Sequence, residues 1–430
     1  MRNRDCSNTS SRKGRQTPPR LPLERGGGDK PIYNLEYRIE KMNRIINRKI
    51  LTAIISVVST LSFLFIASAW QAANAELENI TAQILGPLSS AEERAGRGLA
   101  VSSERQKSPK QTAKAVYLTA YSAGSSKKLN EIISLIDRTE LNAVVMDIKD
   151  YSGLVLFKTK VPLANKLHLV DNRYSNLSST IKKLHDHHIY VIARQTVFQD
   201  PVLAEKSQDL ALKKVGGGLW RDHKGLAWVD PTKKGVWDYN VAIAKDAVEY
   251  GFDEINFDYI RFPSDGNMKT VVYSNLKEKK YQVMAKFYEY LNSKLRQLPV
   301  WISLDFFGFV MEKTGEDDMN IGQRLEDALP MTDYISPMMY PSHYPSGHLG
   351  LANPAAHPAL VIRNGMTLGA PRFEGKRAEL RPWIQAFNMG AVYDGSMIRA
   401  QIDEIEKFPN AGWLLWNAAN RYSGAGLKAE

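Results

Sequence analysis

From Lys114 onward the chain repeats one unit, a short apolar, β-branched run followed by a longer amphipathic stretch. That alternation is the signature of strands and helices wound around a parallel sheet. The spacing predicts strands over 115–119, 143–148, 190–194, 254–258, 300–304, 333–338, 381–386 and 412–416. Helices are expected near 127–137, 177–187, 235–250, 274–295, 354–363 and 397–408. Eight such units predict a (β/α)₈ barrel of the α/β class over 113–425, for which roughly 250 residues suffice. A doubly wound open sheet is the structural competitor. It is disfavoured because no Gly-rich phosphate turn follows the first strand, where the chain reads Tyr121-Ser-Ala-Gly-Ser125.

The segment before the barrel has a different texture. Residues 50–69 carry no charge, Arg44, Arg48 and Lys49 precede them, and Ala73-Asn74-Ala75 follows in small-x-small form. Basic flank, apolar core and cleavage signal stand in the order of a signal peptide over 42–75. Twenty apolar residues can also remain as a membrane anchor. Either reading places the barrel on the non-cytoplasmic side, secreted or anchored at the outer face of the membrane. Membrane contact is expected only through 50–69, and only if that segment is uncleaved. Residues 1–41 read as a disordered basic extension. Because Met42 alone begins a complete signal peptide, those residues are expected either to lie upstream of the true start or to form a disordered tail. Residues 76–112 read as a flexible linker.

Charge would suggest nucleic acid until it is located. The formal net charge is +11, but the first 49 residues hold thirteen Lys/Arg against five Asp/Glu. The rest of the chain is therefore only +3 and makes a poor phosphate-backbone binder. Cys6 is the only cysteine, which excludes an intrachain disulfide and a thiolate zinc site. His185, His187 and His188 share a helix at spacings unsuited to joint ligation, so no metal is expected. No Gly-x-Ser-x-Gly elbow occurs, which disfavours acyl transfer.

In a parallel barrel, side chains at the strand C-termini converge on one mouth. Asp147 and Asp150 follow the second strand, Asp258 ends the fourth and Asp305 ends the fifth. Glycoside hydrolysis needs two carboxyl groups flanking one bond, one protonated and one ionised, and crowding carboxylates in one mouth separates their pKa values accordingly. Asp258, Asp305 and Asp147 are the catalytic candidates, and Asp150 is a substrate contact. Lys149, between two acids, is expected to hold them ionised. Arg261 is placed either to pair with Asp258 or to bind substrate. Arg194 and Gln195 are expected to reach hydroxyls, and Gly308 to let backbone approach a ligand. Tyr340, His343, Tyr344, Gln385, Trp416 and Asn417 supply rings and hydrogen-bonding groups for a sugar. Asp253 and Glu254 begin the fourth strand, so they lie toward the opposite end and are read as structural.

Six segments carry a family resemblance: VVMDIKD at 144–150, INFDYIRFP at 255–263, SLDFFG at 303–308, ISPMMYPSHY at 335–344, RPWIQ at 381–385 and GWLLWN at 412–417. Together they resemble a bacterial TIM-barrel family of glycosyl hydrolase type, in order and over about residues 113–425. The resemblance implies action on a glycosidic bond without a cofactor. A more distant likeness is to glycoside hydrolase family 18, whose fourth strand has alternating acids ending in a catalytic glutamate. Here Asn256 replaces one acid and Ile260 stands at the glutamate's position. Asp258 would therefore take another role, or work with Asp147 or Asp305.

The expectation is a monomeric glycoside hydrolase acting on an extracellular or envelope polysaccharide. Its competitors are a non-catalytic carbohydrate- or peptidoglycan-binding barrel and a metal-dependent hydrolase. A catalytic site predicts two carboxyl groups across one cleft. A binding barrel predicts carboxylates each paired with Arg or Lys, and a metal enzyme predicts a His/Asp cluster.

Overall fold

The computed structural model describes residues 105–430. The expected N-terminal extension, the signal peptide or anchor, and the first part of the linker lie outside them.

Eight parallel strands close on themselves. They are β1 (Ala113–Leu118), β2 (Ala143–Lys149), β3 (Tyr190–Thr196), β4 (Glu254–Asp258), β5 (Trp301–Phe307), β6 (Tyr334–Met338), β7 (Trp383–Gln385) and β8 (Gly412–Trp416). Neighbours pair in sequence order, and β8 returns to β1 through Ala113↔Gly412 to Val116↔Leu415. The β6–β7 junction is the thinnest, a single register pair between Met338 and Trp383. The helices that alternate with the strands are α1 (Ser126–Ile136), α2 (Leu177–Asp186), α3 (Lys234–Val248), α4 (Lys280–Leu295), the single turn α5 (Leu325–Ala328), α6 (Pro358–Gly369) and α7 (Gly395–Ile405), with short helical turns at Ala120–Gly124, Pro162–Lys166 and Pro201–Lys206 in the loops. This is the (β/α)₈ barrel the alternating texture predicts. Two side strands, Lys213–Lys214 and Val271–Val272, pair antiparallel outside it.

Strand alternation decides which residues enter the barrel. On β1, Ala113, Ala115 and Tyr117 belong to the inner cluster, while Val116 and Leu118 pack in the outer layer. On β2, Val145 faces inward, while Val144, Met146 and Ile148 face the helices. α1 answers with Leu129, Ile132, Ile133 and Ile136, the 3.6-residue stripe that a helix needs to cover a sheet. Ser125 caps its first turn by accepting from Lys128 N–H.

Two boundaries differ from expectation for physical reasons. The seventh strand was expected unbroken over 381–386. Instead Glu379–Leu380 pairs with β6, the chain breaks at Arg381-Pro382, and β7 resumes at Trp383. Pro382 has no N–H to give a ladder, and the Arg381 side chain is fully buried in an ion pair with Glu254. The sixth helix starts at Pro358, because Pro354–Ala356 forms a separate 3₁₀ turn.

The last residues of the expected linker pack on the barrel. The Arg105 guanidinium donates to the carbonyls of Val248, the last residue of α3, and of Gly251 and Phe252 just past it. Trp301, at the start of β5, donates its indole N–H to Ser108 O at 2.9 Å. The chain therefore enters at the end where the strands begin.

Candidate active site

A pocket of about 430 Å³ opens at the strands' C-terminal end. Arg194, Asp258, Tyr259, Arg261, Asp305, Tyr340, His343, Trp383 and Trp416 are among the residues that line it. Alternation brings its polar floor together: Asp147 on β2 is in register with Arg194 on β3, and Thr196 on β3 with Asp258 on β4.

Arg194 is the hub. Its Nη1 donates to Asp147 Oδ1 at 2.6 Å, and its Nε and Nη2 both donate to Asp258 Oδ2 at 3.1 and 2.5 Å. Burial alone disfavours the guanidinium charge, but the charges of Asp258 and Asp147 outweigh it and push the pKa well up. Asp258 Oδ1 also accepts from the N–H of Tyr259. Tyr259 has φ +52°, a left-handed conformation uncommon outside glycine, so the chain bends immediately after the acid.

Asp147 lies beneath the pocket lining. Its Oδ2 accepts from Tyr117 Oη. Burial pushes its pKa up to about 6, against the lowering effects of Arg194 and the Tyr117 hydrogen bond. Tyr117 is stacked on Trp416 with centroids 4.0 Å apart, and the Arg194 guanidinium lies 5.1 Å from the Trp416 ring.

Asp305 has no cationic partner among the described residues. Its Oδ1 accepts from Asn256 Nδ2 at 2.8 Å and Trp383 Nε1 at 2.9 Å. No donor among the described residues reaches Oδ2. Burial, and then repulsion from the Asp258 charge, hold its carboxyl well above the usual carboxylate range. Asp258 and Asp305 thus form an unlike pair in one pocket, the first ion-paired and the second biased toward its protonated form. The Tyr340 phenol adjoins them: burial, then the charges of Asp305 and Asp258, push its pKa up. Burial pushes the His343 imidazole down, favouring its neutral form.

Other expected site residues have different partners. Asp150 Oδ1 accepts from Ser152 N–H and Oγ in a local turn. Gln385 ties Ser342 N–H to Phe387 O. Asn417 ties Ala386 O to Arg421 O. These three shape the loops of the mouth without lining the pocket. Lys149 does not neutralise Asp147 or Asp150. The β2–β3 register shifts between Asp147 and Lys149, and the Lys149 ammonium pairs with buried Asp200 at 2.8 Å and donates to Thr196 O. Gln195 points to Asn240 on α3, not to a ligand. Gly308 lets backbone approach backbone: a Cβ there would meet Met338 O at 2.5 Å. Asp258 pairs with Arg194 and not with Arg261. Asp253 accepts from Val191 N–H and His185, and Glu254 pairs with Arg381, both at the opposite end.

Sequence reasoning missed Tyr117, Asn256 as a donor, Tyr259 and Trp383. For Tyr117 and Trp383 a signal existed, since Tyr117 is two residues on from Ala115 and Trp383 two before Gln385 on their strands. Nothing local marks the left-handed bend at Tyr259. Among the described residues no group of three or more His, Cys, Asp or Glu is placed to hold a metal ion, and no helix is long and apolar enough to cross a membrane.

No curated protein matches the chain. A hypothetical protein from Ruminiclostridium thermocellum ATCC 27405 is 40% identical over 44% of this chain and 96% of its own, with a TM-score of 0.42. The PgaB (BpsB) glycoside hydrolase domain from Bordetella bronchiseptica is 13% identical over 73% of this chain and 95% of its own. Its TM-score of 0.53 reflects a shared fold. A GH18 chitinase from Pseudoalteromonas aurantia is 13% identical over 73% of this chain and 96% of its own, with a TM-score of 0.42. Residues 115–422 match the family model described as "Putative glycosyl hydrolase domain". That match runs from within β1 to beyond β8, so the chain belongs to this glycosyl hydrolase domain family.

Proposed function

We propose that the barrel hydrolyses an O-glycosidic bond of a polysaccharide or oligosaccharide bound in this pocket. Asp305 protonates the leaving-group oxygen, and Asp258 acts opposite it as nucleophile or base. The observation that carries this reading is the unlike pair itself: Asp258 takes two guanidinium N–H groups, while Asp305 has neutral donors at one oxygen and no cation. That division of labour is the one glycoside hydrolysis asks of two carboxyl groups. Trp416 and Tyr340 add aromatic surface for a sugar face. Asp147 is a positioning residue, acting on Asp258 through Arg194.

The reading extends to location. The charge-free run 50–69 behind Arg44, Arg48 and Lys49 supports export, with the substrate in the envelope or outside the cell.

One observation favours the competing reading of a non-catalytic carbohydrate-binding barrel. Asp147 and Asp258 are both paired with Arg194, as a purely structural acid would be. The test is reducing-sugar release by the full chain from a panel of bacterial and plant polysaccharides, with Asp258→Asn and Asp305→Asn alongside. Release that collapses in both variants supports the hydrolase. Release unchanged in both removes the assigned pair. Saturable glycan binding without release, surviving both substitutions, supports the binding barrel.

A further inference from the structure

Two guanidinium groups line the pocket, and among the described residues only one is held in an ion pair. Arg194 is paired with Asp147 and Asp258. Arg261 pairs with no carboxylate among the described residues. Its Nη1 donates to Phe262 O at 3.1 Å and Ser264 Oγ at 3.3 Å. Its Nε and Nη2 have no acceptor among the described residues, although the group lines the pocket. Those two N–H groups form the side-on fork of a guanidinium, the geometry that grips a carboxylate or phosphate with two parallel bonds. Arg194 uses the same two atoms on Asp258.

The surroundings fix the fork in place. The guanidinium carbon lies 4.9 Å from the Phe307 ring centroid, 5.0 Å from that of Trp228 and 5.5 Å from that of Tyr259. Burial pushes its pKa down, although the side chain keeps partial exposure at the pocket. Asp258, Asp265 and Asp222 act on it only through space; the Asp258 carboxylate is taken by Arg194, and that of Asp222 by the N–H groups of Lys224, Leu226 and Trp228. The half-buried cation thus lies on the pocket lining with two donors free of protein acceptors among the described residues, where an anionic ligand can reach it.

We propose that Arg261 is the receptor for an anionic substituent of the bound sugar, a uronic acid carboxylate or a sugar phosphate. The pocket thereby selects acidic glycans over neutral ones. This rests on the carbohydrate reading of the pocket and adds the charge of the substrate to it.

The test is calorimetric titration of the full chain with matched sugars that differ only at C6. The sets are glucose, glucuronate and glucose 6-phosphate, with the galactose and mannose counterparts. In at least one set an anionic member is expected to bind about tenfold or more tightly than its neutral partner, as a charge-assisted fork exceeds a hydroxyl contact. Whether carboxylate or phosphate wins identifies the source of the anion. Arg261→Gln is expected to abolish the preference. Arg261→Lys, which keeps the cation, is expected to retain part of it, and so separates loss of charge from misfolding. Equal binding of charged and neutral members in every set overturns the proposal. So does failure of every charged sugar to bind, or a preference that survives Arg261→Gln. Binding is read without turnover, so the two readings fail separately. A chain that cleaves nothing yet keeps an Arg261-dependent preference upholds this inference and loses the hydrolase. A chain that cleaves neutral glycans at a rate untouched by Arg261→Gln does the reverse.

Discussion

Arg194 holds Asp258 side-on through Nε and Nη2 while its remaining nitrogen reaches Asp147, so one buried cation on β3 ties together acids from β2 and β4. Removing it leaves two buried carboxylates without a counter-charge. Arg194→Met is expected to destabilise the fold by about 3–5 kcal/mol, the usual consequence of breaking a buried ionic group on one side. Arg194→Lys keeps the charge but cannot span both acids, and is expected to fall in between. Urea unfolding of the three proteins checks this. A shift under about 1 kcal/mol for Arg194→Met would show that water reaches the two acids freely.

Asp305→Asn separates a proton donor from a structural acid. The wild-type carboxyl is biased toward its neutral form by burial and by Asp258, so an amide of the same shape keeps the local charge. Its carbonyl oxygen can still accept from Asn256 and Trp383. Stability is expected to move by no more than about 1 kcal/mol, while kcat falls by roughly 10²–10⁴, the worth of general acid catalysis. The Asn256 hydrogen bond lowers the Asp305 pKa, so Asn256→Ala is expected to move the alkaline limb of the pH–rate profile upward. An unmoved limb would take the proton-donor role away from Asp305.

The strands were legible in the sequence because apolar β-branched runs announce themselves, and β4 and β8 begin and end where the pattern places them. The candidate acids were legible for the same reason, since a carboxylate at a strand end in a parallel barrel has one place to go. Their pairing was not. Sequence proximity suggests Lys149 for Asp147 and Arg261 for Asp258, yet both acids meet Arg194, a residue 47 positions from one and 64 from the other. The register shift after Asp147 turns Lys149 out of the barrel, and the left-handed residue at Tyr259 turns the following chain away from Asp258. A bulge and a single positive φ are local backbone events that hydrophobic periodicity does not register. Gln385 and Asn417 are at the mouth as their positions imply, but short loop carbonyls claim their amides.

Asp147 gives stability a pH dependence with a definite sign. Its folded pKa is pushed up to about 6 from the ordinary carboxylate value of 3.8, so between those values the folded state holds the proton more tightly than the unfolded chain does. Its contribution is fully present below about pH 4 and is lost as pH rises through about 6, a difference of about 3 kcal/mol. Asp147→Asn is expected to remove that decline, so that the wild-type advantage at pH 4 over pH 7 shrinks in the variant. Thermal unfolding across pH 4–8 reads the difference directly. A decline of equal size in both proteins would assign it to other groups.

The opposite end of the barrel supplies a control for everything assigned to the mouth. Glu254, the first residue of β4, is fully buried and pairs with Arg381, while Tyr190 Oη donates to its other oxygen at 3.0 Å. The Arg381 guanidinium lies 4.2 Å from the Tyr334 ring centroid, and its Nε and Nη1 have no hydrogen-bond partner among the described residues. Glu254 is therefore the principal compensation for a cation in the barrel interior. Glu254→Leu is expected to destabilise by about 3–5 kcal/mol, whereas Glu254→Leu combined with Arg381→Met is expected to recover much of the loss, because an apolar pair of similar volume needs no desolvated charge. In the double variant kcat per folded molecule should match wild type, since Glu254 lies at the N-terminal end of the strand that carries Asp258 at its C-terminal end. Denaturant unfolding and turnover measured on the same preparations test both halves. A stable double variant that has lost turnover would place this ion pair in the chemistry, and the assignment of the site to the strands' C-terminal end would fall with it.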